Sequence, residues 1–426
     1  MSLTRTAAVV QMSLLLTLSA GVLATLPSLL SAHGIPGRVP ASDAEALLVL
    51  RDRGDLGAQR RHAWQLLGEL SQSDHGSPRF QRWHGESELF ADSSTAALGI
   101  QGFSAPPHAA TAANGGNAAE SADIPVISYT LYSTAAYAHI RRHGLNRIAA
   151  LRRLRTEGPH DGSYPEDRAV PSFPPASMVL KSVWWPIAHD AVTALPVWDA
   201  QDNPPQPTGN GYTTWKRVVA VVPAAHPQHA TRNVSFMGQS FAATPTVGLD
   251  EFYHVTVDAA LAERLMAGSE ARRAILLALG RPLVAGDYLL LVGANLATKE
   301  IPDWIWIAYW WSDRPTEGPF ALGRSDRLPP PWRNYLMQVA FDAVQPREAD
   351  GGAHICFNPW LEGRFPDGGQ GGGRVSNCQA CHARASFPAG DFLPVTRGGA
   401  PRGDDPAYAP GRLRTGFLWS IALHAH

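Results

Sequence analysis

Cysteine is the scarcest chemistry in this chain: its 426 residues hold three, Cys356, Cys378 and Cys381. Three thiols cannot build the disulfide framework that staples small secreted domains. Zinc would need two further ligands at similar spacing beside the close thiol pair, and Cys356 stands alone. Charge of one sign is lacking too, with 36 Lys and Arg against 37 Asp and Glu. That balance argues against nucleic acid or an anionic membrane recognised through bulk charge. Neither HExxH nor GxSxG occurs, and Gly368-Gly369-Gln370-Gly371-Gly372-Gly373 lacks the Lys-Ser/Thr of a phosphate-binding loop. No internal repeat is visible.

What the chain does hold is Cys378-Gln379-Ala380-Cys381-His382, a CxxCH sequence. Two thiols three residues apart can add to the two vinyl groups of one porphyrin, and the adjacent histidine then lies beneath the iron as its proximal ligand. The motif predicts one covalently attached haem c, anchored by Cys378 and Cys381 and ligated by His382. A thioredoxin-like dithiol would follow a strand and open a helix near the start of a βαβ unit, which this late, glycine-preceded motif does not do. Cys356 is expected to be a spare thiol, since no third vinyl group remains for it.

With 45% hydrophobic and 17% charged residues the chain can bury a large core, while 35 Pro and 39 Gly favour a β-rich or loop-rich architecture over a helical bundle. Residues 1–32 read as an export signal: Arg5 precedes an apolar stretch over 7–26, and Val22-Leu23-Ala24 offers small residues for cleavage. The stretch over 7–32 is also long enough to stay as a membrane anchor. Either form puts the body in the periplasm, which agrees with haem attachment after export.

Residues 33–102 read as a helical region, with Trp64, Leu66, Leu67 and Leu70 on the inner side of one helix. Residues 103–125, mostly Ala, Pro, Gly and Asn, read as a flexible linker. Residues 126–350 are expected to hold a long helix over 129–155, with Gly144 as a break point, then short β-branched and aromatic strands. The Arg141, Arg142, Arg147, Arg152, Arg153 and Arg155 run reads as a solvated helix face. The run over 304–311 is apolar on both parities, which predicts a central strand buried on both sides; its tryptophans read as core and not as sugar platforms. Asp258 and Ser269 should each start a helix, closed by Gly268 and Gly280. Residues 351–426 form a loop-rich haem c segment. The expected fold class is α+β, with a sandwich-like, β-rich central domain behind the N-terminal helices.

Four groups of residues carry a family likeness: Val179-Leu180-Lys181-Ser182-Val183-Trp184-Trp185; Leu291-Val292-Gly293 with Lys299 and Pro302-Asp303-Trp304-Ile305-Trp306; Cys356-Phe357-Asn358-Pro359-Trp360; and Ser376-Asn377 before the CxxCH. In these, over about the last half of its length, the chain resembles a family of large exported bacterial monohaem c-type cytochromes with one CxxCH near the C-terminus. The resemblance implies covalent haem, redox chemistry and export, with Cys378, Cys381 and His382 in the attachment roles. Small soluble cytochromes c carry the motif near the N-terminus and a distal Met downstream; here no Met follows His382. The haem segment must therefore pack against the preceding β domain.

The expected function is one-electron transfer with a redox partner protein or exported redox enzyme. The alternative is a haem enzyme or a gas or redox sensor, with an open distal position and a β domain that binds a substrate or partner. For the distal ligand the nearest candidates are His354 and Met337, with His254 more remote. His424 and His426 are set aside because their segment is expected to fray.

Overall fold

Period-2 runs of Val, Leu, Ile and Trp build one large antiparallel sheet, and the computed structural model shows how its faces are used. It describes residues 41–74, 76–90, 101–103, 124–160, 168–201, 211–224, 230–364, 372–389 and 411–426. The expected signal or anchor over 1–32 and nearly all of the expected linker lie outside the described residues.

Helices α1 (Ala41–Asp52), α2 (Leu56–Ser71) and α3 (Glu86–Phe90) form the N-terminal helical region. Asp55 caps α2 by accepting from the Ala58 amide at 2.9 Å, and Trp64, Leu66, Leu67 and Leu70 enter the core as expected. The main sheet takes strands β1 (His84–Gly85), β2 (Gln101–Phe103), β3 (Val126–Tyr132) and β4 (Met178–Ile187). A second sheet follows, made of β5 (Thr193–Val197), β6 (Arg217–Val222), β7 (Thr231–Phe236) and β8 (Gln239–Gly248), in the order β7-β8-β6-β5. The chain then returns to the main sheet with β9 (His254–Thr256), β10 (Tyr288–Thr298), β11 (Ile305–Trp311) and β12 (Tyr335–Ala340).

The main sheet runs β12-β11-β10-β4-β3-β1, with β9 also paired to β10 and β2 to β3. The two sheets share one core, in which Trp185 of β4 meets Phe236 of β7. The fold is α+β with a sandwich-like, β-rich centre, as the sequence predicts. Every residue of β11 is buried, which is the two-sided strand expected there. The described residues belong to one compact unit, so the described parts of 33–102, 126–350 and 351–426 pack as one body.

One expectation needs correction. The stretch over 129–155 is not one helix: it opens in β3, continues as α4 (Thr134–His143), and after a turn becomes α5 (Ile148–Glu157). Gly144 ends α4 in the left-handed conformation (φ 65°), its amide bonding back to the Ile140 and Arg141 carbonyls. Arg141, Arg142, Arg147, Arg152 and Arg153 are exposed, the solvated face anticipated. Asp258 caps α6 (Ala259–Ala267) and the left-handed Gly280 ends α7 (Ser269–Leu279) as read, but Ser269 is the first helical residue of α7 and its cap is Gly268, with no side-chain bond.

Candidate functional site

One face of the main sheet supplies the floor of a deep cleft, and strand register decides what that floor is. Tyr132, Val179, Ala297 and Trp306 are direct cross-strand neighbours and form a row across β3, β4, β10 and β11. Thr130, Lys181 and Asn295 form the next row, about 7 Å along the strands. The first row is apolar, and its small central members, Val179 and Ala297, leave a hollow between Tyr132 and Trp306. The second row is polar. All seven border the cleft.

The roof comes from the C-terminal segment. Cys378, Gln379, Ala380, Cys381 and His382 form α8 (Cys378–His382), capped by the Asn377 side chain, which accepts from the Gln379 and Ala380 amides. At about 100° per residue, positions 378, 381 and 382 share a single face, and all three border the cleft. The opposite face is pinned. Gln379 Nε2 donates to the Asp303, Trp304 and Phe341 carbonyls at 3.1 to 3.2 Å, and the Cys378 amide donates to the Cys356 carbonyl at 3.0 Å. Helix α9 (Trp419–His424) also borders the cleft, with Trp419, Ser420, Leu423 and His424.

His382 is held as a metal-ligating imidazole should be. Its Nδ1 lies 2.8 Å from the Phe417 carbonyl, which only accepts, so Nδ1 carries the proton and Nε2 is the nitrogen with a free lone pair. Phe417 reaches that position by adopting φ 72°, a left-handed conformation that costs a bulky residue about 1–2 kcal/mol. Trp304 does the same at φ 63°, and its carbonyl is one of those gripping Gln379. The Trp306 ring leans over the imidazole with centroids 4.1 Å apart.

The electrostatics favour uncharged groups. Burial pulls His382 down to about 4, against the opposing Phe417 bond, so the ring is neutral at pH 7. Burial pushes Cys381 up to about 12, while a contact with the Cys356 thiol, then burial, raises Cys378 well above the usual thiol range. Glu362, which accepts from the Asn358 amide at 2.7 Å and from Asn295 Nδ2 at 2.9 Å, is also raised by burial. Glu86 behaves otherwise. Burial would raise it, but the bond from His424 and the nearby His424 and Lys181 charges outweigh that and lower it.

Comparison with protein families, with curated proteins and with solved structures returns no match to this chain. The reading of the cleft rests on its own residues. Three parts of the chain border it: strands β4 and β10, the CxxCH helix, and the segment from Cys356 to Glu362 through its last two residues. Asn358 ties the third to the sheet, with Nδ2 donating to Asn295 Oδ1 and to the Tyr309 carbonyl, both at 3.0 Å.

Two thiols and a neutral histidine on one helical face, above an apolar floor with a polar row beside it, form a donor set that suits a covalently held porphyrin. Among the described residues no group of three or more His, Cys, Asp or Glu is arranged around a metal ion. Iron in a porphyrin requires only one or two protein ligands, so such a cluster is not needed. Cys356 is fully buried outside the cleft, its Sγ 3.7 Å from the Trp306 carbonyl.

The distal candidates fall elsewhere. His354 Nε2 donates to the Val339 carbonyl at 2.8 Å and Nδ1 to Glu348 at 3.0 Å. Both ring nitrogens are thus engaged within the protein, away from the cleft. Met337 is fully buried in the main core on β12. Neither borders the cleft, and His254 is also absent from it. His424, set aside as frayed, does line it. Its segment is anchored by Ile421, which is fully buried, and by main-chain bonds from His426 to Asn146 and Ile148.

Proposed function

We propose that this chain is an exported monohaem c-type cytochrome of the large bacterial kind, transferring single electrons to or from a redox partner. The observation that carries the reading is the meeting of Cys378, Cys381 and a correctly tautomerised His382 on one cleft. A covalently held haem supplies a one-electron Fe(III)/Fe(II) couple.

The chain's part is attachment, orientation and exclusion of water. Cys378 and Cys381 would hold the group through thioether bonds to its two vinyl side chains. His382 offers Nε2 while Phe417 fixes the ring. Tyr132, Val179, Ala297 and Trp306 would supply apolar surface, and Lys181 would bring a positive charge near propionate carboxylates. Electron transfer is the reading these roles support, since attachment, orientation and burial are what a one-electron haem asks of its protein.

The test is maturation of the full chain with haem-attachment machinery, then haem staining after denaturing electrophoresis. Wild type should stain, and the C378A/C381A double variant should lose the band entirely. An unstained wild type would overturn the reading.

A further inference from the structure

The cleft holds a second histidine whose setting mirrors the first. His424 Nε2 lies 2.7 Å from Glu86 Oε1, so this nitrogen is the donor and, in the neutral ring, Nδ1 keeps its lone pair. In His382 the roles of the nitrogens are exchanged, with Nδ1 given to a protein acceptor and Nε2 left over, and the His424 side chain keeps 47% of its surface exposed. Iron-ligating histidines are characteristically held by a carboxylate or carbonyl on the nitrogen not used for the metal, which fixes the ring and raises its basicity. Within this cleft that arrangement occurs twice, once in the CxxCH helix and once in α9.

Competing ligand types are poorly placed. No methionine borders the cleft, and His354 has both nitrogens committed. Lys181 does border it, beside Glu86 and Glu362 in charge terms. Its ammonium would have to lose a proton and leave those carboxylates before it offered a lone pair. Glu86 itself is engaged by His424 and by the Thr130 hydroxyl. The Phe90 ring, 5.7 Å from the His424 ring centroid, packs against its side.

We infer that His424 is the second axial ligand, bound through the nitrogen that Glu86 does not hold, which makes the site a bis-histidine haem. This rests on the haem c reading above and deepens it. Two imidazoles with outer partners already in place need little rearrangement on oxidation or reduction. Histidine in place of methionine also sets a lower reduction potential.

The experiment is optical and magnetic spectroscopy of the full-length holoprotein, read beside haem staining of the same samples. Wild type should be low-spin in both redox states, show no near-infrared methionine-to-iron band, and bind carbon monoxide slowly or not at all. H424A should stain normally yet become high-spin and bind carbon monoxide within the mixing time, and added imidazole should restore the low-spin spectrum. H424M should gain the near-infrared band, which keeps the test decisive if the alanine variant folds poorly. H354A and M337L should stay spectrally wild type. A stained wild type that is already high-spin, or a stained H424A that stays low-spin while K181A turns high-spin, overturns the His424 assignment and leaves the haem reading standing. An unstained wild type overturns both.

Discussion

Two sheltered clusters of titratable side chains, one around Asp287 and one around His382, are built on opposite principles. At the end of the main sheet, Asp287 is fully buried and accepts from Arg281 at 2.7 and 2.8 Å, from the His189 amide and ring at 3.0 and 2.8 Å, and from the Val284 amide at 3.0 Å. Burial would raise its carboxyl, but these bonds, Arg281 first, hold it well below the usual carboxylate range. Around His382 the surroundings act the other way. Both thiols and Glu362 are pushed up and His382 is pushed down, all towards the uncharged form. A cluster that stabilises charge is a clamp between chain segments. One that removes charge suits a large, mostly apolar guest.

The sharpest way to break this contrast is to remove Asp287. The D287N variant leaves Arg281 and His189 facing an amide and should cost about 3 kcal/mol, the low end for a broken buried pair because Arg281 keeps part of its surface in water. The haem spectrum should not move. The sign of the pH dependence follows from the lowered carboxyl. Its contribution is complete above the unfolded value of about 3.9 and drains away as pH falls through that value towards the folded one. Denaturation curves of wild type and D287N should therefore converge below about pH 4, and a gap that stays constant would show that Asp287 is no charge clamp.

A smaller effect is expected at the cleft itself. A side chain at Gly373 would overlap the Glu362 carbonyl, so G373A should destabilise the protein by about 1–3 kcal/mol, as overpacked sites do. Unlike D287N it should also reduce haem loading, because Gly373 and Glu362 both border the cleft. Equal loading in the two variants would mean that the Glu362 to Gly373 contact is separable from the site.

The smallest change concerns Cys356. The variant C356S should keep covalent haem and an unmoved Soret band, with a stability change of about 1 kcal/mol, since a hydroxyl can still donate to the Trp306 carbonyl. A shift as large as that of a ligand-loss variant would make Cys356 part of the site.

Much of this architecture is legible in the residues. The strands announce themselves by β-branched and aromatic runs, the helices of the insert by Asp258 and Gly280, and the attachment residues by a spacing that puts them on one helical face. What stays hidden depends on register and on tethering. Tyr129-Thr130-Leu131-Tyr132 satisfies helical and strand periods alike, so only pairing with β4 makes it a strand. Thr130, Tyr132, Val179, Lys181, Asn295, Ala297 and Trp306 each have the right parity, yet nothing local says that they align in two rows. His424 was discounted by position in the chain, whereas burial of Ile421 decides its order. Met337 and His354 are near the motif in sequence, but one strand and one carboxylate claim them first.

The left-handed residues Trp304 and Phe417 bear on any attempt to engineer this protein for heat resistance. Relieving unfavourable backbone at such positions, by placing glycine there, is an ordinary route to a higher melting temperature. Here the same two peptide units aim carbonyls at Gln379 and at the His382 ring. A glycine would gain torsional ease and, being free to visit other conformations, would surrender the aim. The positions most attractive to a stability screen are thus those where a hotter, tougher variant would hold its iron ligand least firmly.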